Sequence, residues 1–513
     1  MRHLSVTYDE PRHFQYGQNI LNLDSTRFDD SKMPVSALNA LPSVVARHLA
    51  PGPLATALAR LEAGRYVTVA ASLLVALCVF AWARRLYGVR AGLLALTLYA
   101  FDPNLLTHAQ LVTTDIYAAG TIAFALFMFW RYLQRGTRGA MVGAALALGL
   151  AQIAKYTALV LLPLFVLIAV GFHGRAIWRQ VRRRRVADLR RRSASLLVSA
   201  AVFLVVVLAV VNAGFLFNGS GTSLAGYTFR SDTFREIQAA AGPVGAIPVP
   251  LPYPYLEGLD WVVQRERTGE GYGNLYLFGE VRKGVAFPGY YFYATLYKVP
   301  LATQALVVGA VLAYVIRRRQ FDFLRNEWVI ACPVVFFTLY FNFFYRAQIG
   351  FRFYLIVFPM LYVFAGSLVK DGVGLSRRAT AALAGGLAYL AISVLSYYPH
   401  FLPYMNELVP NRTLAYTVLA DSNLDWGQHV WYFEQYMKAH PQAIVEPEKP
   451  TAGTILVGVN MLTGVAGTPD TFRWLRDNFT PVGHVAHAVL VYEVSAAELD
   501  RVLSRPQPAP AGR

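Results

Sequence analysis

Residues 66–83 read YVTVAASLLVALCVFAWA, and residues 84–90, directly behind them, read RRLYGVR. At 1.5 Å per residue the uncharged run is long enough, as a helix, to cross most of the ~30 Å hydrocarbon core of a bilayer. The basic connector behind it has the composition of a cytoplasmic loop. Outward from this pair the pattern repeats, with apolar blocks at 91–106, 117–133, 139–154, 157–171, 194–217, 296–316, 328–345, 353–369 and 379–397. The second, fourth and fifth blocks are short for a full crossing. With 56% hydrophobic and only 15% charged residues, the chain is excluded from the disordered and ordinary soluble classes. The expected fold is an α-helical polytopic membrane protein of about ten visible spans.

The net charge of +17 would suggest a nucleic-acid partner if it were spread over a surface. It is not. The connectors 84–90, 131–138, 172–193, 317–327 and 370–378 hold 22 Lys and Arg against four acids, a balance of +18 that accounts for the whole excess. Short basic connectors between apolar spans mark the cytoplasmic side, so no nucleic-acid partner is expected. The run Arg182–Arg185 reads as a topology anchor that also meets anionic lipid. Cys78 and Cys332 both lie inside apolar blocks, which leaves no disulfide framework and no cysteine metal site.

Placing the basic connectors inside puts Asp115, Lys155, residues 218–294 and the stretch Arg346 to Arg352 outside, together with both termini. An outside N-terminus requires a carrier, because residues 1–65 contain neither a signal peptide nor a span; one further helix ahead of Met1 is therefore expected. Five regions follow: an extracytoplasmic loop at 1–65, membrane helices at 66–217, an extracytoplasmic loop at 218–294, membrane helices at 295–397, and a small soluble extracytoplasmic α/β domain at 398–513. In the last of these, 428–439 and 471–478 read as helices, 454–459 and 484–494 as strands, and the Pro/Ala-rich end as disordered.

Ionisable groups at membrane depth are costly and mark function by default. Here they gather on the outer side: Asp9 and Glu10 in Thr7-Tyr8-Asp9-Glu10-Pro11, Asp115, Lys155, Lys298, Arg346 and Arg352. Carboxylates supply a general base and cations hold a phosphate, the layout needed to move a group from a lipid phosphate to a hydroxyl at a membrane surface. Each group also has an ordinary reading. Asp9-Glu10 before Pro11 is a helix-start signal, Asp115 a helix cap, and the cations near helix ends snorkel to headgroups. Arg352, embedded in Gly350-Phe351-Arg352-Phe353-Tyr354 with no acidic neighbour in sequence, is the exception that an external anion would satisfy. His108, His400 and His429 are too scattered for a metal site.

Taken together, Tyr8-Asp9-Glu10-Pro11 with His13, Asp102-Pro103-Asn104, Leu111 to Asp115, Tyr297-Lys298-Val299-Pro300, Arg352-Phe353-Tyr354 and Ala420-Asp421-Ser422-Asn423-Leu424-Asp425-Trp426-Gly427-Gln428 resemble the phospholipid-carrier-dependent glycosyltransferases of the GT-C fold. Within them the chain is similar to a bacterial subgroup of glycosyltransferase family 39, related to the protein O-mannosyltransferases and the lipid A aminoarabinose transferase. The resemblance implies inverting transfer from a polyprenyl-phosphate sugar to an acceptor glycan, lipid or protein, on the periplasmic face of an inner membrane. Asp9 would be the base with Glu10 beside it, and Asp115 would help shape the sugar and acceptor site. Lys155, Lys298, Arg346, Arg352, Tyr8 and His13 would bind substrate. No metal or other cofactor is implied. A His-Pro-Pro segment common in relatives is replaced here by Asp29-Asp30-Ser31-Lys32-Met33-Pro34, and the family's first span is absent. The competing readings are a ligase or polymerase using a diphosphate-linked glycan, a lipid or sugar flippase with charges spread through the membrane depth, and a glycan-binding module on a membrane anchor.

Overall fold

Every one of the ten apolar blocks folds as helix in a computed structural model that describes residues 3–24, 32–182, 186–372 and 374–504. Six helices are long and apolar enough to cross a membrane: Leu61–Tyr87, Asp115–Arg135, Tyr156–Arg179, Ser193–Gly214, Phe351–Val369 and Arg377–Leu395. A further pair, Tyr290–Lys298 and Leu301–Ile316, is apolar enough when taken together but bends by 114° at its joint, as a broken span or a re-entrant loop does. Val299 and Pro300 form the joint, where proline removes a backbone donor and the residue before it is driven out of the helical region. The second, fourth and eighth blocks, Val89–Ala100, Arg138–Gln152 and Trp328–Phe343, are helices of 12, 15 and 16 residues, too short to cross alone, so the ten expected spans are not all present as full crossings. The fifth, joined to a preceding 3₁₀ turn, reaches 24 residues. The anchor run Arg182–Arg185 lies in part outside the described residues, as do Asp29 to Ser31 and the chain end from 505.

The spans differ in how much protein surrounds them. Asp115–Arg135 is 72% buried and Phe351–Val369 67%, against 6% for Ser193–Gly214. A helix wrapped by other helices can carry a charged group at its end without presenting it to lipid, and these two begin at or beside Asp115 and Arg352.

Residues 3–24 and 32–60 are built onto the bundle. The helix Glu10–Leu21 crosses Ser36–Ala46 so closely that a Cβ on Gly17 would stand 2.4 Å from the Ser36 carbonyl oxygen, so only glycine fits there. The backbone of Ser5 and Tyr8 donates to Gln428 and Trp426 at 3.3 and 3.0 Å, which carries the start of the chain to the C-terminal region.

That region holds a four-stranded sheet in the order Ile444–Val445, Gly453–Gly458, Val489–Val494, Gly483–Val485, with the first pair parallel and the others antiparallel. Alternation along Val489–Val494 explains its mounting. Leu490, Tyr492 and Val494 face the main core, while Val489 and Val491 face the helix Val430–Ala439 through Phe433 and Tyr436. The expected strand 484–494 is a hairpin, broken at Ala486 and His487, whose φ values are +50° and +58°. The expected helix at 471–478 shortens to Arg473–Arg476. A helix not anticipated, Ala496–Leu503, is started by a capping box between Ser495 and Glu498, a spacing legible in the sequence.

Candidate active site

A cavity of about 1110 Å³ opens among the first residues of the chain, the starts of the two enclosed spans and the loop 421–427. Asp9, Asp115, Lys155, Arg352, Tyr8 and His13 all line it. Asp9 occupies the N-cap position of Glu10–Leu21, yet its side chain caps nothing. Its Oδ2 instead accepts a 2.6 Å bond from Nη1 of Arg352, 343 residues away in sequence. Asp115 likewise leaves its helix uncapped: Oδ1 takes Lys155 Nζ at 2.7 Å and Oδ2 takes the Thr113 hydroxyl at 3.2 Å. The helix-start readings of both acids are thereby replaced by tertiary ion pairs.

Arg352 is the centre of the arrangement. Its guanidinium lies 4.1 Å from the Trp426 ring centroid and 4.9 Å from that of Phe353, stacking that holds the plane in one orientation. The side chain is 9% exposed, and its Nε is buried without a hydrogen-bond partner among the described residues. A buried guanidinium donor left open beside a cavity is where an anionic oxygen is stabilised. Lys155 sits 4.6 Å from the centroid of the same Phe353 ring, which places two cations on one aromatic residue. Arg352 is kept close to the loop 421–427 because Gly350 lies against Ser422: a Cβ on Gly350 would fall 2.1 Å from the Ser422 hydroxyl.

The surroundings set protonation. Burial would raise the Asp9 carboxyl, but the adjacent Arg352 guanidinium outweighs it and holds the group below the usual carboxylate range. Burial, aided by Lys32, pushes the His13 imidazole down to about 4, so it stands neutral at pH 7, its Nδ1 3.2 Å from the Ser36 hydroxyl.

Three of the residues expected at the site do not line it. Glu10 is fully buried away from the cavity, with Arg65 Nε and Nη2 at 2.8 and 2.7 Å and the backbone N–H groups of Thr7 and Val112 at 2.8 and 2.9 Å. Burial drives the carboxylate to collect every donor in reach, and the result ties the chain start, the first long span and the loop ahead of Asp115 together. Lys298, placed inside by the bent joint, spends its ammonium on the carbonyls of Leu402 and Asn423 at 2.5 and 2.8 Å. It fastens the loop that carries Asp421. Arg346 does not line the cavity; its backbone N–H donates to Glu266, which does, at 2.9 Å.

The cavity also contains groups to which the sequence reading gave no role. Arg12 joins it from the helix Glu10–Leu21, Arg265, Glu266 and Arg267 from the helix Tyr253–Thr268, and Asp421, Asp425 and Trp426 from the quoted motif. Asp421 is held at φ +59°, a left-handed conformation that non-glycine residues adopt at a cost. Its backbone N–H donates to Asn460 Oδ1 at 2.8 Å, and burial raises its carboxyl to about 7. Two acids four residues apart in a stretch otherwise rich in apolar residues and amides were the signal available for this wall.

Residues 54–211 match the family model described as dolichyl-phosphate-mannose-protein mannosyltransferase. That stretch contains Asp115 and Lys155 and excludes Asp9, Arg352 and Asp421. The chain is also similar to ArnT from Cupriavidus metallidurans in the apo state, at 15% identity over 98% of this chain and 96% of that one with a TM-score of 0.28. Its similarity to ArnT from the same organism bound to undecaprenyl phosphate is 14% identity over the same shares, with a TM-score of 0.27. No curated protein matches the chain. The family match spans less than half of the chain, and over residues 54–211 the chain is similar to the dolichyl-phosphate-mannose-protein mannosyltransferases.

Proposed function

We propose that the protein transfers a glycosyl group from a polyprenyl-phosphate-linked sugar to an acceptor hydroxyl, with inversion, on the periplasmic face of an inner membrane. One observation carries this reading: Arg352, its Nε unpartnered among the described residues, shares a cavity with Lys155 and is paired there to the carboxylate of Asp9. The family description names a lipid-phosphate sugar, and two cations lining one cavity are the chemistry such a phosphate needs. The cavity-lining charges Asp115, Lys155 and Arg352 all sit at the N-terminal starts of helices, one level of the bundle rather than a path through it. That distribution favours surface transfer over the flippase reading.

The site works by exchange of partners. A phosphate arriving on Arg352 and Lys155 displaces Asp9, and the freed carboxylate recovers the basicity that the guanidinium suppresses. Asp9 then takes the proton of the acceptor hydroxyl as its oxygen attacks C1 of the sugar. The bond between C1 and the phosphate oxygen breaks on the opposite face, its electron pair leaving with polyprenyl phosphate, whose charge Arg352 and Lys155 stabilise. Every group in this sequence belongs to the chain or its two substrates, and turnover is expected without added metal or cofactor.

The test uses the purified protein in nanodiscs with labelled polyprenyl-phosphate sugars and candidate acceptors. Asp9→Asn is expected to abolish transfer while still binding donor, and Arg352→Ala to weaken donor binding. Normal turnover by Asp9→Asn would remove the base assignment.

A further inference from the structure

A second cavity of about 350 Å³ adjoins the first against the C-terminal sheet, and Asp425 and Asn460 line both. The two differ sharply in charge. Six cations (Arg12, Lys32, Lys155, Arg265, Arg267 and Arg352) and five carboxylates (Asp9, Asp115, Glu266, Asp421 and Asp425) line the larger one, whereas the described lining of the smaller holds no Lys or Arg but two carboxylates, Asp425 and Glu446. A phosphate finds cations to pair with in the first and only carboxylates in the second.

The polar groups of the smaller cavity are hydrogen-bond acceptors fixed in position. Asp425 Oδ1 receives the Gly427 N–H at 2.9 Å and lies 2.8 Å from Nδ1 of His429. In the tautomer whose Nδ1–H donates to that carboxylate, Nε2 presents its lone pair. Glu446 is held at φ +44°, a backbone cost tolerated where the surrounding structure requires the side chain in one place. Its N–H donates to Leu456 at 2.9 Å and its Oε1 accepts from the Gly458 N–H at 3.1 Å. Oδ2 of Asp425, Nε2 of His429 and Oε2 of Glu446 have no partner among the described residues. Phe433 and Met461 supply apolar surface beside them. Several acceptors, no cation and an apolar wall complement a molecule that offers many hydroxyl donors around an apolar ring face.

Building on the transfer reading above, we infer that the smaller cavity is the acceptor subsite and takes a neutral, polyhydroxylated glycan. Its hydroxyls donate to Asp425, His429 and Glu446, and its attacking hydroxyl crosses the wall formed by Asp425 and Asn460 to reach the donor. The charge difference sorts the two substrates: the anionic carrier stays in the larger cavity and the neutral acceptor enters from the sheet side.

The experiment measures binding of a panel of methyl glycosides to the intact protein in nanodiscs by saturation-transfer NMR, with undecaprenyl phosphate affinity measured in parallel. Glu446→Gln and His429→Ala line only the smaller cavity and are tested separately. Wild type is expected to bind at least one methyl glycoside and each variant to bind it about tenfold more weakly, the loss of one charge-assisted or oriented hydrogen bond. Undecaprenyl phosphate should bind all three proteins alike. Failure of every glycoside on wild type, unchanged glycoside binding in both variants, or an equal loss of undecaprenyl phosphate binding would overturn the subsite. Failure of wild type to bind undecaprenyl phosphate at all would instead remove the transfer reading, whatever the glycosides do.

Discussion

If a phosphate must displace Asp9 from Arg352, removing the carboxylate should tighten carrier binding even as it stops the chemistry. The perturbation is Asp9→Asn, which keeps the shape and removes the charge. The pair is a 2.6 Å charge-assisted bond between a guanidinium 9% exposed and a carboxylate 26% exposed. Such bonds contribute about 1.5–3 kcal/mol, and the partial exposure of Asp9 argues for the lower end. Freed of that competition, Arg352 is expected to bind undecaprenyl phosphate about tenfold more tightly. Titration calorimetry on nanodisc-embedded wild type and variant, at pH 7 and low salt, measures the difference directly. The gain should shrink as ionic strength rises, because exposed charge is screened. Equal or weaker affinity in Asp9→Asn would refute the exchange, since the carboxylate would then be assisting the site instead of competing for its cation.

Asp421 gives a prediction of opposite character. A carboxyl with a folded value of about 7 against an ordinary 3.8 binds its proton more tightly in the folded state, so it costs nothing below pH 3.8 and destabilises progressively as pH rises towards 7. Asp421→Asn, which also suits the left-handed backbone, is expected to raise thermal stability at pH 8 by up to about 4 kcal/mol and to leave it unchanged near pH 4. A pH-independent difference would contradict this. Glu10→Ala strands the buried Arg65 guanidinium and should destabilise by about 3–5 kcal/mol, lowering the unfolding temperature of the chain. Lys298→Met should lower stability while leaving carrier affinity in the folded fraction intact; a selective loss of affinity would return Lys298 to the binding site. A chelator such as EDTA is expected to leave turnover unaffected, and rescue of a chelated protein by a divalent ion would refute that.

The sequence alone was sufficient for the fold class, because burial in hydrocarbon demands long uncharged helices and topology demands basic connectors, and both requirements are written locally. It also picked out Asp9, Asp115, Lys155 and Arg352, which line one cavity, since charge near apolar spans stands out against its neighbours. It did not distinguish Asp9 from Glu10, adjacent acids whose side chains point to different places once the helix begins. One meets Arg352 in a cavity and the other is consumed by Arg65. Nor did it separate Lys298 from Lys155: both are lysines near helix ends, and only the 114° joint decides that the first faces carbonyls inside the protein. The environment of Asp421, and the wall it shares with Asp425 and Asn460, depends on a loop meeting helices some 70 to 410 residues away in sequence. Local composition sets what a segment is able to be; which of its charges remain open to a ligand depends on the partners that packing brings within a hydrogen bond.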